Sequence, residues 1–406
     1  MKQGWEYKTL GDVLDVLRNG VNCKQDKKGV GDKISRIESI SNADFDFDKI
    51  GFARLSKSDK EKYRLAKGDI LFSHINSPIH VGKTALFNSD EEVYHGVNLL
   101  LMRPKPFLDG NYFEHFLKYI FQNGYWKGLC KQSVNQASVN QQDINKVEIS
   151  FPKSLPEQQR IVAILDEAFA AIAKAKANAE QNLRNAKEVF ESYLQGVFEE
   201  KGEGWEEKTL GEVCLFKGGG TPSTKVKEYW EGEIPWVSPK DMKSKIISNS
   251  QDHLTIEAIK NSSASLIPKG SILIVVRSGI LARIVPIGIT EEVVSINQDL
   301  KALCPKKNID SNFLCYFMEG NMRFLLSKVT RGATVHRIST DSLRDLRIGV
   351  PNIKDQQTIV KKLDTLSTET KKLEAIYQQK INDLEEMKKS ILQKAFSGGL
   401  NYDSFD

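Results

Sequence analysis

The stretch from Leu155 to Glu200 reads LPEQQRIVAILDEAFAAIAKAKANAEQNLRNAKEVFESYLQGVFEE, with neither glycine nor proline between Pro156 and Gly196. Within it Ile161, Leu165, Ala168, Ile172, Ala175, Ala179, Ala186, Val189 and Tyr193 recur at alternating steps of three and four, the seam of a coiled coil. From Ile353 to Ser397 the seam returns at an offset of 198 residues as Ile359, Leu363, Leu366, Thr370, Leu373, Tyr377, Leu384, Met387 and Ile391. The polar seam position is shared as well, Asn182 in one run and Lys380 in the other. Pro156-Glu157 opens the first run, and Asp355 places an acid at the start of the second, where exposed amides favour negative charge. About 40 residues at 1.5 Å each make a helix roughly 60 Å long, too long for an ordinary helix of a globular core. A solvent-bridging linker has no reason to carry one seam twice. The two runs therefore read as an intramolecular antiparallel pair that serves as a spacer.

Outward from the helices, the chain is duplicated. Gly4-Trp5-Glu6-Tyr7-Lys8-Thr9-Leu10-Gly11-Asp12-Val13 comes back as Gly204-Trp205-Glu206-Glu207-Lys208-Thr209-Leu210-Gly211-Glu212-Val213, a tandem repeat that fixes boundaries better than any change of composition. Leu65 to Phe72 is echoed by Ile267 to Ile274, in each case a glycine turn feeding a buried-strand pattern. Phe151-Pro152 and Val350-Pro351 close the two globular parts. The expected division is a globular part over 1–153, a spacer helix over 154–200, a second globular part over 201–351, a second helix over 352–400 and a tail over 401–406. Short strand signals mixed with a few helices make the globular parts α+β. Their middles differ. Asp44, Phe45, Asp46 and Phe47 alternate as in an exposed strand, whereas the second half has Gly218-Gly219-Gly220-Thr221-Pro222-Ser223, read as a flexible turn, then Tyr229-Trp230 and Ile234-Pro235-Trp236.

The composition sets wide bounds. A chain of 406 residues with 40% hydrophobic and 27% charged residues is long enough for two or three domains with their own cores. A net charge of +5 permits a nucleic-acid partner without demanding one. Cys23, Cys130, Cys214, Cys304 and Cys315 form no CxxC pair, and an odd count argues against a disulfide framework; a reducing cytoplasm and no membrane are expected. The most apolar stretch, Ser271 to Val276, has strand length.

No catalytic constellation emerges. The triple glycine lacks the Gly-Lys-Ser/Thr of a phosphate loop. No Asn-Pro-Pro-aromatic methyltransferase motif, no Gly-x-Gly-x-x-Gly and no Pro-Asp nuclease start occurs. His74, His80 and His95 lack metal-ligand spacing and read as surface or loop histidines. Amides and cations gather in loops instead. Lys131, Gln132, Asn135, Gln136 and Asn140 lie in one polar stretch of the first half, and Arg331, His336 and Arg337 occupy the matching place in the second. Asn and Gln suit adenine, while Arg and Lys suit guanine or phosphate. Asn76 and Lys83 in the first half, with Lys217, Thr221, Ser223, Lys225, Lys240 and Arg277 in the second, are DNA-binding candidates of the same grade. A polar loop capping the strand after it explains any single one of these residues equally well.

Taken together, the repeated Gly-Trp-Glu openings, the run from Gly218 through Tyr229-Trp230 to Ile234-Pro235-Trp236-Val237-Ser238-Pro239-Lys240-Asp241, Leu65 to Phe72, Ser295-Ile296-Asn297-Gln298-Asp299, and the Glu-Gln-Gln helix start at Glu157 to Gln159 carry a resemblance. The chain resembles the specificity subunit of type I restriction-modification systems over nearly its full length. One departure is Lys354, which stands where the first copy has Pro156. The resemblance implies two target-recognition domains, α+β in class, held apart by two long antiparallel coiled-coil helices in a pseudo-two-fold arrangement. Each domain would read one half of a bipartite double-stranded DNA sequence. The subunit itself would be non-catalytic and hold no cofactor. It would dock two methyltransferase (modification) subunits that methylate adenine with S-adenosylmethionine, and through them restriction/translocase subunits that use ATP and Mg. Unlike middles imply an asymmetric target, and the helix pair implies a ruler for the spacer. A free-standing DNA-binding regulator and a coiled-coil adaptor are the rival classes.

Overall fold

The computed structural model describes residues 3–27, 29–41, 44–133, 136–200, 202–397 and 399, with the backbone alone at 132, 133 and 136. The chain forms two compact units, Met1–Ala179 with Gln379–Asp406, and Glu180–Gln378. Each unit thus holds one globular part together with portions of both long helices.

In the first unit, β1 (Trp5–Thr9) pairs antiparallel with β9 (Glu148–Pro152), Trp5 opposite Pro152, and so ties the start of the globular part to its end. Between them, β2 (Leu14–Asn19), β6 (Leu100–Pro104), β3 (Asp69–Phe72) and β5 (Thr84–Phe87) form a four-stranded antiparallel sheet in that order. Gly68, at φ 89, makes the turn into β3, a backbone region open to glycine at little cost. Helix α1 (Gly110–Gln122) starts at Asp109, whose carboxylate accepts the N–H groups of Asn111 and Tyr112. It buries Tyr112, Phe113, Phe116 and Leu117 in the core of the unit.

Helix α2 (Leu155–Glu199) runs 45 residues and, from Leu155 on, adds Ile161, Val162, Leu165 and Ile172 to that core. The last turns of α4 (Ile353–Phe396) contribute Ile391, Leu392, Ala395 and Phe396 to it. The helices run antiparallel here: the Lys388 ammonium lies 5.0 Å from the Phe169 ring, and Lys176 pairs with Glu385.

The second unit repeats the plan. β10 (Glu206–Thr209) pairs with β18 (Arg347–Val350). β11 (Cys214–Gly218), β16 (Leu300–Pro305), β13 (Ile272–Val275), β15 (Ile287–Thr290) and β12 (Ile246–Ile247) form a five-stranded sheet in that order. A smaller sheet joins Asp252–Leu254, Ile234–Val237, Val294–Ile296 and Leu266–Ile267. Helix α3 (Ser311–Gly320) is capped by Asp310 as α1 is by Asp109. The end of α2 closes this unit: the Phe198 ring meets those of Phe313 and Phe317 edge-on at 5.3 and 5.5 Å.

One interaction recurs almost atom for atom. Gln158 and Gln356, near the starts of α2 and α4, are both 0% exposed. Gln158 Oε1 accepts the Asp109 N–H at 2.8 Å, and its Nε2 donates to the carbonyls of Phe107 and Pro152 at 3.0 and 2.8 Å. Gln356 Oε1 accepts the Asp310 N–H at 2.8 Å, and its Nε2 donates to the carbonyls of Asn308 and Pro351 at 3.0 and 2.8 Å. Each glutamine satisfies three backbone groups that burial would otherwise strand. It thereby fixes the angle at which a long helix leaves its globular part.

The structure corrects four expectations. The Asp44–Asp48 segment is no exposed strand: Asp46 caps a 3-10 turn over Phe47–Lys49, and the Phe45 and Phe47 rings both pack against Phe87. A side-chain cap and two partly buried rings outweigh the alternating pattern. The triple glycine is no flexible turn. A Cβ on Gly219 would sit 1.9 Å from the Ile296 carbonyl oxygen, and one on Gly220 would sit 2.1 Å from Ser263 Oγ, so glycine is there for close packing. His95 lies in irregular backbone, as the loop alternative has it, but is wholly buried and not at the surface. The seam also fails locally, since Val189 is 59% exposed and Tyr193, Leu373 and Met387 are exposed too. Near the end of α2 the inward face belongs to Phe190, Leu194 and Phe198, because that end packs on a globular surface and no longer on a helix alone.

Candidate nucleic-acid interface

At corresponding places the two units each carry a short β-ribbon outside the main sheet. In the second unit β14 (Arg277–Ser278) follows β13 directly and pairs antiparallel with β17 (His336–Arg337), Arg277 opposite Arg337 and Ser278 opposite His336. The Ile338 N–H donates to the Val276 carbonyl at 2.9 Å, and Arg337 exchanges both backbone bonds with Thr330 at 2.8 and 3.0 Å. The Gly279–Ala282 turn packs on β17. Arg277, Arg283, Arg331 and Arg337 thus fall within two seven-residue segments that hold no acid. Among the described residues neither Arg331 nor Arg337 has a carboxylate at ion-pair distance, and both are exposed. Arg277 does have one, with Nε 3.6 Å from Asp299 Oδ1.

In the first unit β4 (Ile75–Asn76) pairs with β8 (Gln136–Ser138), which pairs in turn with β7 (Lys131–Ser133). Much of the polar stretch expected to be loop is therefore a ribbon. Beside it Asn19, His74, Ile75, Asn76 and Asn98 line a cleft. Among the described residues the buried Nδ1 of His74 has no hydrogen-bond partner, and burial pushes its pKa below the ordinary imidazole value.

The other candidate residues divide by what already holds them. Asn76 uses both ends of its amide locally, Nδ2 donating to Ser73 Oγ at 3.2 Å and Oδ1 accepting the Ser77 N–H at 2.8 Å. Asn140 caps a short helix through Asp143, and Lys83 donates to the Ser41 carbonyl. Lys131 is exposed on β7. The backbones of Gln132 and Gln136 lie on the ribbon, whereas their side chains, and Asn135 as a whole, lie outside the described residues. In the second unit Lys217 donates to the Leu266 carbonyl at 3.1 Å, and Thr221 Oγ1 donates to Gln298 Oε1 at 2.6 Å. Ser223 Oγ accepts the Lys225 N–H. Lys240 pairs with Asp252 at 2.7 Å, which raises the ammonium pKa. Of these five residues, Thr221 lines a cleft with Trp230, Trp236 and Asp252, the partner of Lys240, and none lies on the strands of the ribbon. Arg277, His336 and Arg337 are brought together, with Arg331 at the head of the loop leading into β17.

Composition alone missed Asp299, Arg283, Ile75 and Asn98. Asp299 lies in the Ser295–Asp299 motif, where Asn297 Oδ1 accepts the Asp299 N–H at 3.0 Å and Asn297 Nδ2 donates to Asp299 Oδ2 at 3.1 Å. Only the fold reveals what that carboxylate faces. Among the described residues no group of three or more His, Cys, Asp or Glu side chains is arranged to hold a metal, and no helix is long and apolar enough to cross a membrane.

Comparison with known proteins bears on the whole chain. The family described as "Type I restriction modification DNA specificity domain" matches twice, over residues 2–181 and 202–386. A Methanocaldococcus jannaschii chain assigned as the MjaX type I restriction enzyme specificity subunit is 30% identical, over 98% of this chain and 93% of the relative. The EcoR124I/EcoR124II specificity subunit of Escherichia coli is 37% identical over 63% of this chain and 64% of its own length. In fold, the chain is similar to one from a study of complex assembly and conformational transition of the type I R-M system, with a TM-score of 0.79 at 19% identity over 98% and 99% of the two chains. It is also similar to the HsdS subunit from Thermoanaerobacter tengcongensis, with a TM-score of 0.61 at 17% identity and 98% coverage of each. In such systems catalysis sits in partner subunits. Two matched domains and a relative 30% identical over 98% of this chain place it in the family of type I restriction-modification DNA specificity subunits.

Proposed function

We propose that this subunit reads an asymmetric, bipartite double-stranded DNA target, one half-site per unit, and docks two methyltransferase subunits, and restriction/translocase subunits through them. The observation that carries the reading is the recurrence of a short ribbon outside the main sheet at equivalent places in both units, with arginines in one and the exposed Ile75 and Lys131 in the other. A two-stranded ribbon fits the major groove, where all four base pairs are distinguishable. A shared scaffold with unlike reading groups favours two different half-sites. The two long helices act as the ruler between the half-sites. S-adenosylmethionine, ATP and Mg serve the partner subunits in the prokaryotic cytoplasm.

The test is co-expression with the modification subunit from the same locus, followed by genome-wide mapping of N6-methyladenine. One bipartite motif that vanishes when this chain is omitted supports the reading. A stable complex without any motif sinks it, and failure to form a complex revives the free-standing regulator. Inserting one heptad into each helix adds about 10 Å, so the unread spacer should lengthen by roughly 3 base pairs at 3.4 Å per step while both half-sites stay the same.

A further inference from the structure

We propose that Arg277, oriented by Asp299, is the guanine-reading residue of the half-site matched by the second unit; this rests on the function proposed above. Three observations converge on it. Arg277 and Arg337 are direct cross-strand partners, so their side chains leave the same face of the ribbon, and like charges placed so repel each other. A strand pair of two residues each bears that repulsion, which an electron-rich acceptor in front of the ribbon would relieve.

The second observation is the support behind Arg277. Its side chain is 50% exposed, yet Nε lies 3.6 Å from Asp299 Oδ1, and its backbone N–H donates to the Asp299 carbonyl at 3.2 Å. Among the described residues the buried Asp299 Oδ1 has no hydrogen-bond partner, while Oδ2 is held by Asn297. Asn297 thus holds the carboxylate by Oδ2 and leaves Oδ1 facing the guanidinium as a fixed charge. With Nε turned toward Asp299, the Nη1/Nη2 edge remains as two parallel donors, the geometry that meets guanine O6 and N7.

The third observation is internal. Ile272 pairs with Leu303 in the second unit as Ile70 pairs with Met102 in the first. Counting five residues on and four back from these pairs, Arg277 occupies the place of Ile75, and Asp299 that of Asn98. Arg337, opposite Arg277, corresponds to Ser138, opposite Ile75. The charged trio is thus replaced as a set by Ile75, Asn98 and Ser138. A purely structural ion pair would be expected in both copies of the scaffold; a set of groups that reads bases would differ between them. The Asn297–Asp299 part of the Ser295–Asp299 motif then acquires a role, that of positioning the reader.

The experiment uses the complex with its modification subunits. Methylation rates are measured for the wild type, Arg277→Gln, Asp299→Asn and Arg331→Gln on oligonucleotides that vary each position of the mapped target, at several salt concentrations. For Arg277→Gln the guanine preference should fall roughly 10- to 100-fold at one position, with the other half-site read as before. Asp299→Asn should weaken that same preference by less while the rate on the cognate site largely persists, which a loss of fold would not do. Arg331→Gln should slow all sequences alike and reduce the salt dependence, as loss of a phosphate contact does. An even loss over all sequences for Arg277→Gln, or no change in base preference, overturns the assignment and leaves the bipartite reading intact. A wild-type complex with no bipartite motif removes the reading and the assignment together.

Discussion

Replacing Gln158 by leucine removes a buried side chain that serves three backbone groups at 2.8, 3.0 and 2.8 Å. The Asp109 N–H and the carbonyls of Phe107 and Pro152 lose their partner where water has no access to the glutamine site. A stranded buried group costs about 1–3 kcal/mol, and the carbonyls keep a second lone pair, so the set should cost about 3 kcal/mol. For a unit of some 200 residues that corresponds to a drop of roughly 6–12 °C in Tm. Gln158→Glu is the sharper variant. It keeps an oxygen to accept the Asp109 N–H but turns a second oxygen toward two carbonyls, so the ionised form should be worse than leucine. Protonation restores one donor, so this variant should gain relative to wild type as the pH falls. Differential scanning calorimetry with amide exchange localises the effect: protection should fall around Asp109 and the start of α2, and stay at wild-type level around Asp310. Gln356→Leu should produce the mirror pattern with a similar loss. A change below about 0.5 kcal/mol, the size of an ordinary surface substitution, would refute the claim that these glutamines fix the helix starts.

Phe396→Ala should cost the first unit about 3–5 kcal/mol, because the ring packs on Tyr112, Phe116 and Tyr119 at 5.3–5.6 Å; thermal unfolding measures it, and a loss under 1 kcal/mol would contradict the packing. Gly219→Ala should destabilise the second unit, since its Cβ would meet the Ile296 carbonyl at 1.9 Å, whereas Gly218→Ala should be mild, since its Cβ would meet only the movable Lys301 Nζ; equal effects in denaturant titration would speak against close packing. His95, wholly buried, has its pKa pushed down to about 4 by desolvation. Its folded pKa lies below its unfolded value of about 6.5, so its neutral form carries no penalty above that value. Stability should then fall by about 1.4 kcal/mol per pH unit as the pH drops from about 6.5 to about 4. The difference in stability between the wild type and His95→Asn, followed over that range, should show this slope; a flat difference would exclude a neutral buried imidazole.

The long helices and the duplication were legible because they depend on periodicity and on fixed offsets, such as the 198 residues between Gln158 and Gln356. The family motifs were legible by their residues and their order along the chain. The ribbons were not, since strands of two or three residues carry no period and Arg277 gains its meaning from Asp299 on a different turn of the fold. The seam was read correctly at Leu165 and Leu363, both wholly buried, and wrongly at Val189, where a globular surface replaced a helix as the packing partner. The triple glycine shows a further limit, because the same residues suit mobility and close contact, and only the Ile296 carbonyl decides between them. Among the candidate DNA contacts, residue type selected Asn76 and Asn140, yet their amides are occupied by neighbours at one to three residues' distance.

The first unit needs Gln379 to Phe396 to fill its core, whereas the second is complete within Glu180–Gln378. Ribosomes deliver a chain from its N-terminus at roughly 5–20 residues per second, and domains ordinarily fold in that order. Here the order is inverted at the finish. The half synthesised first must wait, with the aromatic faces of Tyr112, Phe116 and Tyr119 uncovered, until the last turns of α4 emerge. The half synthesised second has all its parts before then. A chain halted near Gln378 would thus leave a finished later half and an unfinished earlier one, and quality control would meet the exposed apolar surface in the half made first.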